Sequence, residues 1–369
     1  MKAIFAFDHR FIPAEGEVWS ESQFESALWA RYLAHFDELT VVGRHGTVPD
    51  GKSASQLELS SAPGVAFELF PNLSSLQGLT FARPAAWRRM RTLVATHHAV
   101  IARLPSEIGL LAIAAARAEG KPWAVEVAGC PWDGLWNHGS ASGRLYAPIA
   151  RWRMGRAVAR ADHALYVTRA FLQHRYPSQA ANIVAASNVS LPEVPETALT
   201  ARLERIADLG CSPLRLGLIG SLHTRVKGIP TVLAVLAQIR AELPPVSVHV
   251  LGGGDPIPWQ QEAAQQGVDD LVHFDGTLLA GEPVLRWLDE IDIYLQPSLK
   301  EGLPRALIEA MSRGCPAIAS TVAGIPELLP ADDLIRPGDD KRLARLLRSR
   351  ITDRDWTVAR IEEGWRLRA

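Results

Sequence analysis

Residues 291–320 follow an order of elements that restricts the fold strongly: an apolar strand, a turn-forming loop, a helix and a second apolar strand. The strands are expected at 291–295 and 316–320. Pro304 stands where the first helical position is expected, and Gly314 stands where the helix should stop, which is the usual distribution of these residues at helix ends. A strand–helix–strand unit predicts a parallel sheet covered by helices.

Two glutamates belong to this unit, Glu301 in the loop and Glu309 in the helix, with seven residues between them. The segment 306–311 is apolar almost all round, which predicts a buried helix, where an acid is costly unless something pairs with it. Glu301 lies beside the free amides of Gly302 and Leu303, where anions are favoured. The two acids together predict a nucleotide-sugar site, in which Glu301 contacts the sugar hydroxyls and Glu309 contacts the ribose diol. The alternative is that Glu309 only caps or bridges within the core.

A second segment carries positive charge. The strand 214–220 is followed by the loop GSLHTRVKG (220–228) and by a helix. Arg225 and Lys227 therefore stand at a helix start, where two cations and the positive end of the helix predict a diphosphate site. The alternative is a pair of exposed basic residues at a surface turn.

These segments resemble the family 4 glycosyltransferases (glycosyl transferases group 1), retaining enzymes with the GT-B fold. That fold is α/β, with two Rossmann-like domains facing each other across a cleft. The resemblance rests on the Glu-(x)7-Glu spacing, on Lys227 before Gly228, and on four further segments in the expected order: VHVLGGGD (248–255), VHFDGTL (272–278), STVAGIPELL (320–329) and IRPGDD (335–340).

The resemblance implies a metal-independent hexosyltransferase without a cofactor, class EC 2.4, that moves a sugar from a nucleotide-diphosphate donor to a hydroxyl acceptor. Its expected setting is exopolysaccharide, capsule or lipopolysaccharide synthesis. The implied catalytic residues are Lys227, Glu301 and Arg225, the last because Ser221 stands where the family often has a basic residue. The implied donor-binding residues are Gly16, Ser221, Gly302, Leu303, Pro304, Glu309 and Thr277.

A polar stretch with two prolines near residues 187–196 marks the domain boundary. It divides the chain into an acceptor-binding domain, residues 1–192, and a donor-binding domain, residues 193–369. In the first domain a strand ending at Asp8-His9-Arg10 is expected to meet the cleft, with Arg10 as an acceptor contact. The following loop, which contains Gly16, is expected to lead into a helix and to cover the donor phosphates.

A second acceptor-contacting group is expected at 122–139. Trp132 offers an aromatic face for a sugar, Asp133 a carboxylate for its hydroxyls, and His138 a ring nitrogen. The alternatives are aromatic core packing with a helix N-cap at Asp133, and a solvated His138. Glu126, inside the preceding strand, is either a salt-bridged core residue or a site acid.

Composition fits two globular domains: 47% of the 369 residues are hydrophobic, and three widely spaced cysteines suggest a reducing compartment. The N-terminal apolar run is too short for a signal peptide, and no run approaches a membrane span, so a cytoplasmic protein is expected. A net charge of −1 without a recognition motif argues against nucleic acid.

Two stretches without acids, 69–106 and 134–161, contain arginines and lie in the first 190 residues, whose net charge is +4 against −5 for the remainder. They suggest contact with an anionic membrane surface and a glycan or lipid-linked acceptor. The arginines are Arg83, Arg88, Arg89, Arg91 and Arg103, then Arg144, Arg151, Arg153, Arg156 and Arg160. A solvated helix face is the alternative. Two rival functions also remain: a non-hydrolysing sugar-nucleotide epimerase and a non-enzymatic nucleotide-sugar-binding subunit.

Overall fold

Short apolar strands alternate with helices along the whole chain. In the computed structural model they form two α/β units, Met1–Ala186 and Ser187–Ala369. The boundary predicted from the sequence lies between residues 192 and 193, six residues further along the chain. The structure describes residues 1–21, 24–48, 53–54, 57–75, 78–136, 140–187, 189, 191, 196–207, 213–302 and 304–366.

The first unit has a mainly parallel sheet. Its described strands are β1 (Lys2–Ala14), β2 (Glu17–Ser20), β3 (Glu38–His45), β4 (Glu58–Leu59), β5 (Val65–Phe70), β6 (Ala99–Leu104), β7 (Trp123–Val127), β8 (His163–Tyr166) and β9 (Asn182–Ala185). The parallel order is β5-β3-β1-β6-β7-β8-β9. β2 pairs antiparallel with β1 and with β4. The described α-helices are α1 (Ala30–Leu33), α2 (Arg83–Ala95), α3 (Glu107–Ala118), α4 (Pro131–Trp136), α5 (Ala141–Ala159) and α6 (Phe171–Arg175).

The second unit has a six-stranded sheet among its described residues, and every pairing is parallel. The strands are β10 (Leu214–Ile219), β11 (Val246–Leu251), β12 (Val272–Gly276), β13 (Ile293–Gln296), β14 (Ala317–Ser320) and β15 (Leu334–Ile335). The helices are α7 (Glu196–Ala207), α8 (Ile229–Ile239), α9 (Ile257–Gln265), α10 (Glu282–Asp289), α11 (Arg305–Ser312), α12 (Asp340–Arg350) and α13 (Arg354–Arg366).

The strand order of the second sheet determines where a ligand can bind. The order is β12-β11-β10-β13-β14-β15, so the chain builds outward from β10 to β12 and then returns to the other side of β10. The loops after β10 and β13 therefore diverge to opposite faces of the sheet. In open α/β sheets the crevice at this reversal, beyond the carboxyl ends of the strands, is the usual ligand site.

The start of the first unit differs from the sequence-based expectation. β1 does not end at Arg10 but continues to Ala14, with a register irregularity between Ala6 and Arg10. Gly16 lies in a two-residue hairpin turn to β2, with φ +81° at Gly16 and +56° at Glu15. Positive φ at both central residues matches the twist of a hairpin. The open loop expected at Gly16 was wrong, because the chain pairs back onto its own strand there, but helical segments do follow at Ser26–Trp29 and Ala30–Leu33.

The helix α11 also differs in detail. Pro304 is its N-cap, with ψ 111°, rather than its first helical residue. Gly314 ends the helix as predicted, with φ +63°. The amide of Gly314 donates to Met311 O at 2.9 Å and the amide of Cys315 donates to Ala310 O at 2.9 Å, which is a Schellman motif. The apolar sequence predicted a helix buried on all sides. One side is instead partly accessible to solvent, and Glu309 lies on it.

Among the described residues, no helix combines the length and the apolar character needed to cross a bilayer.

Candidate active site

The loops after β10 and β13 bring one cation and one carboxylate together. Lys227 Nζ lies 2.7 Å from Glu301 Oε1, although 74 residues separate them in sequence. The Glu301 side chain is 8% exposed and that of Lys227 is 28% exposed, so this ion pair is largely shielded from solvent. Two residues that the sequence analysis assigned to one ligand are thus brought into contact at the reversal of strand order.

Glu301 is held by further donors that the sequence analysis missed. Its Oε1 also accepts hydrogen bonds from Gln296 Nε2 and Ser298 Oγ, each at 2.7 Å. Tyr294 Oη donates to Gln296 Oε1 at 2.7 Å, and Ser320 Oγ donates to the carbonyl of Ser298. Because these side chains are buried, the network fixes the orientation of the Glu301 carboxylate. Polar residues at the alternating positions 294, 296 and 298, at the end of an apolar strand and just beyond it, were the available signal.

Three glycines allow the loops of this site to approach one another. A Cβ at Gly220 would lie 2.7 Å from Lys227 Cβ, and one at Gly252 would lie 2.0 Å from Gly220 O. A Cβ at Gly228 would lie 2.1 Å from Pro297 O, and Gly228 has φ +83°. Because glycine has no Cβ, the backbones of the loops after β10, β11 and β13 can contact one another at these positions.

Replacing Gly228 by alanine should therefore lower the free energy of unfolding by about 3 kcal/mol, since strain and a backbone clash add. Gly338→Ala is the matched control, because Gly338 also has positive φ, +72°, but no atom within 4 Å of its Cβ position. It should lose only about 1 kcal/mol. Urea unfolding compares the two variants, and equal losses would contradict the close approach at Gly228.

Gly302 follows Glu301, and the loop after β14 closes over it. The Gly324 amide donates to Gly302 O at 3.2 Å. Ala323, which stands where the resembling family commonly has glycine, adopts φ +49°, so this chain keeps the left-handed backbone without the glycine. Leu303 lies outside the described residues. The loop that holds Glu301 is thus contacted by Gly228 on one side and by Gly324 on the other.

Glu309 lies in α11, one to two turns beyond Glu301. Burial raises the pKa of its carboxyl group, and the positive charge of Arg305 opposes the rise. Within the described part of the chain, no side chain donates a hydrogen bond to this carboxylate. The Glu309 carboxylate is therefore partly buried and can still accept hydrogen bonds, unlike a carboxylate that bridges two donors in the core.

Arg225 is placed differently from Lys227. Its guanidinium makes two hydrogen bonds of 2.8 Å to Glu262 and lies 5.1 Å from the centre of the Trp259 ring. The side chain is 62% exposed. Arg225 and Lys227 belong to one 3-10 turn before α8, but their charges pair with different acids. The two cations that the sequence assigned to one diphosphate are therefore paired with separate carboxylates.

Two other residues assigned to the donor lie at the same edge of the sheet. Ser221 follows β10, and its Oγ accepts a hydrogen bond from the His223 amide at 3.3 Å. Thr277 follows β12, with its Cγ2 3.2 Å from the position that a Cβ on Gly253 would occupy. Both stand where the ligand crevice of such a sheet is expected.

The residues assigned to an acceptor are mostly engaged within the first unit. Arg10 pairs with Glu21. Asp133, in the first turn of α4, accepts a hydrogen bond from Arg175 Nη2 at 2.9 Å. Trp132 stacks on Trp136, with ring centres 4.9 Å apart and an interplanar angle of 10°. His138 lies outside the described residues.

Glu126 is a core residue rather than a site acid. Its Oε2 accepts from Arg103 Nε at 2.8 Å and its Oε1 accepts from Tyr32 Oη at 2.6 Å. Both polar partners are largely buried, so the carboxylate is fully used within the core. Among the described residues, no group of three His, Cys, Asp or Glu side chains is arranged to hold a metal ion.

Several known proteins are similar to this chain in sequence. Residues 213–353 match the profile of a family described as glycosyl transferases group 1. Protein CapJ of Staphylococcus aureus is 26% identical over 341 residues, which cover 92% of this chain and 84% of CapJ. The amylovoran biosynthesis glycosyltransferase AmsK of Erwinia amylovora is 32% identical over 153 residues, 39% of this chain and 37% of AmsK.

Among solved structures, the complex of Anabaena HepE with UDP and glucose has a TM-score of 0.65 at 17% identity, covering 100% of this chain and 94% of HepE. The likeness confirms the predicted fold class, a GT-B fold with two Rossmann-like domains. The family profile shows a glycosyl transferases group 1 domain in the second unit, and with the similarity to CapJ along most of the chain the protein is a glycosyltransferase.

Proposed function

We propose that this glycosyltransferase is retaining and metal-independent, and that it moves a sugar from a nucleoside diphosphate to a hydroxyl group of an acceptor. The proposal is carried by the ion pair of Lys227 and Glu301 at the reversal of strand order. A cation beside a fixed carboxylate suits a diphosphate next to sugar hydroxyls. HepE is described in complex with UDP and glucose, which supports a donor of this class.

In this proposal Lys227 binds the diphosphate and Glu301 binds hydroxyl groups of the donor sugar. Negative charge develops on the diphosphate as the bond between the sugar carbon and the phosphate oxygen breaks. Lys227 and the amide of Gly302 stabilise that charge, which is the task a divalent metal performs in other enzymes. The acceptor oxygen attacks from the same face, and its proton passes to an oxygen of the departing diphosphate.

Arg225 has a smaller share in this scheme than Lys227. Its guanidinium is already paired with Glu262, and it reaches a diphosphate only after leaving that carboxylate. Ser221 and Thr277, at the ends of β10 and β12, are assigned to the nucleotide. The acceptor is a glycan or a lipid-linked glycan at the cytoplasmic face of the plasma membrane, within surface polysaccharide synthesis. AmsK, named for amylovoran biosynthesis, supports that setting.

A panel of nucleoside diphosphates and monophosphates tests the proposal by thermal shift. A ligand at about 100 times its Kd adds about 2.7 kcal/mol to the free energy of unfolding, so a binding diphosphate should raise Tm clearly. The matching nucleotide-sugars are then assayed for diphosphate release, and the product anomer is assigned by NMR. If no diphosphate raises Tm, the donor class is wrong. A product of inverted configuration contradicts retention.

Glu309 is expected to accept hydrogen bonds from the ribose diol, and it can be tested through pH. Its pKa is raised by burial, so the folded state binds the proton more tightly than the unfolded chain. The free energy of unfolding therefore falls as pH rises through the raised pKa. Glu309→Gln should be more stable than the parent at neutral pH, lose that advantage near pH 4, and bind nucleotide about tenfold more weakly.

Urea unfolding at the two pH values and calorimetric titration measure these effects. Glu282→Gln is the matched control, because Glu282 is an exposed glutamate paired with Arg286 one helical turn away. The control should change neither quantity. Unaltered nucleotide affinity in Glu309→Gln would remove Glu309 from the donor site.

A further inference from the structure

The helix α5 is apolar on two opposite faces, which is unusual for a helix at a protein surface. On one face Ala147 and Met154 are buried in the first unit. On the other face Leu145, Ile149 and Trp152 are 79%, 51% and 61% exposed. Their spacing of four and three residues places them on one side of the helix, and we call them the exposed stripe. Exposed apolar residues that form a continuous patch mark an interaction surface.

Positive charge surrounds the exposed stripe. Three guanidinium groups lie over indole rings: Arg144 over Trp136 at 6.0 Å, Arg151 over Trp132 at 6.0 Å and Arg156 over Trp152 at 5.3 Å. Among the described residues these three arginines form no ion pair, and no acid occurs between residues 134 and 161. Cation–π contact thus holds the charges in place without neutralising them.

Arg153, which the sequence analysis placed in the same basic stretch, does not belong to this surface. It donates to Glu107 Oε1 at 2.7 Å and also contacts Tyr146 Oη. Its side chain is 20% exposed, so the charge is used inside the unit. Four arginines of the other acid-free stretch are also paired with acids: Arg83 with Glu107, Arg89 with Glu68, Arg91 with Glu119 and Arg103 with Glu126.

We infer that the exposed stripe and Arg144, Arg151 and Arg156 form an interfacial membrane-binding surface whose partner is an anionic phospholipid bilayer. Aliphatic and indole groups on one side of a helix enter the boundary between headgroups and acyl chains, while flanking arginines stay at the phosphates. A second copy of the chain fits less well, since a symmetric contact would oppose the arginines to each other. The vesicle test is made without nucleotide, so its outcome does not depend on the proposed donor.

The test is sedimentation of the full chain with vesicles of phosphatidylcholine, with and without phosphatidylglycerol. The triple variant Leu145→Gln, Ile149→Gln, Trp152→Gln should lower partitioning to the anionic vesicles about tenfold or more. Ile257→Gln with Leu279→Gln is the matched control, because these apolar side chains of the second unit are 56% and 71% exposed. The control should bind vesicles as the parent does, and both variants should keep the parent circular dichroism and nucleotide affinity.

A second variant separates insertion from charge. Replacing Arg144, Arg151 and Arg156 by glutamine should remove the preference for anionic over neutral vesicles, and added salt should weaken the binding of the parent without abolishing it. Equal vesicle binding by the parent and the triple variant would overturn the inference. So would a parent that does not bind vesicles but forms a dimer, seen by analytical ultracentrifugation, that the triple variant dissociates.

Discussion

Glu301→Gln is expected to lower kcat for sugar transfer by about a hundredfold or more, the usual loss when one contact made in the transition state disappears. The substitution keeps the shape of the side chain and an acceptor oxygen for Gln296, Ser298 and Lys227, whose hydrogen bonds to Glu301 Oε1 are 2.7 Å long. What it removes is the negative charge that, in the proposed function, contacts the donor sugar. Initial rates with a saturating donor measure the effect.

Glu262→Gln is the matched control for Glu301→Gln, because Glu262 pairs with the other basic side chain of the same turn, Arg225. It should change kcat less than about threefold, since the lost contact is an exposed ion pair. Glu301→Ala is a less suitable variant, because truncation leaves buried donors unsatisfied and lowers the free energy of unfolding by about 1–3 kcal/mol. A rate for Glu301→Gln near that of the parent would show that this carboxylate does not contact the reacting sugar.

Lys227→Met should lower kcat by about a hundredfold, because the charge that balances the departing diphosphate is lost while the aliphatic stem remains. It should also lower the free energy of unfolding, since the largely buried Glu301 side chain, 8% exposed, loses its ion-pair partner. Activity and stability therefore fall together in this variant, and a second change is needed to separate them.

The double variant Lys227→Met, Glu301→Gln separates the two effects. Without a carboxylate at position 301, the missing ammonium group no longer leaves a buried charge, so most of the lost stability should return. Transfer activity should not return, because neither charged group is present at the donor. If the double variant recovered both stability and activity, the ion pair would be a structural element rather than the catalytic pair.

The second unit was largely predictable because its signals are local. Each strand, loop and helix of the site occupies one continuous segment, and the stop at Gly314 depends only on its own backbone conformation. The meeting of Lys227 and Glu301 follows from rules about the carboxyl ends of parallel strands, so a sequence without an alignment is sufficient to expect it. Tyr294, Gln296 and Ser298 were predictable in the same way, from alternation along one strand, but were overlooked.

Several contacts that the sequence did not reveal depend on distant partners. Arg225 is drawn to Glu262, 37 residues away, and Arg153 to Glu107, 46 residues away. No local pattern indicates such pairings, so both arginines were counted as free charges. The hairpin at Gly16 is a related case, because β2 pairs with β1 and also with β4, which lies far away in sequence. A glycine in a polar segment fits a phosphate loop and a hairpin turn equally well.

The most direct measurement of the central claim is calorimetric titration of the nucleoside diphosphate that stabilises the protein and of the matching monophosphate. In the parent, the diphosphate should bind at least about tenfold more tightly, because the proposal places Lys227 at the second phosphate. In Lys227→Met this difference should disappear, while in Arg225→Met, whose guanidinium pairs with Glu262, most of it should remain. A preference for diphosphate that survives Lys227→Met would contradict the assignment of this site to the donor.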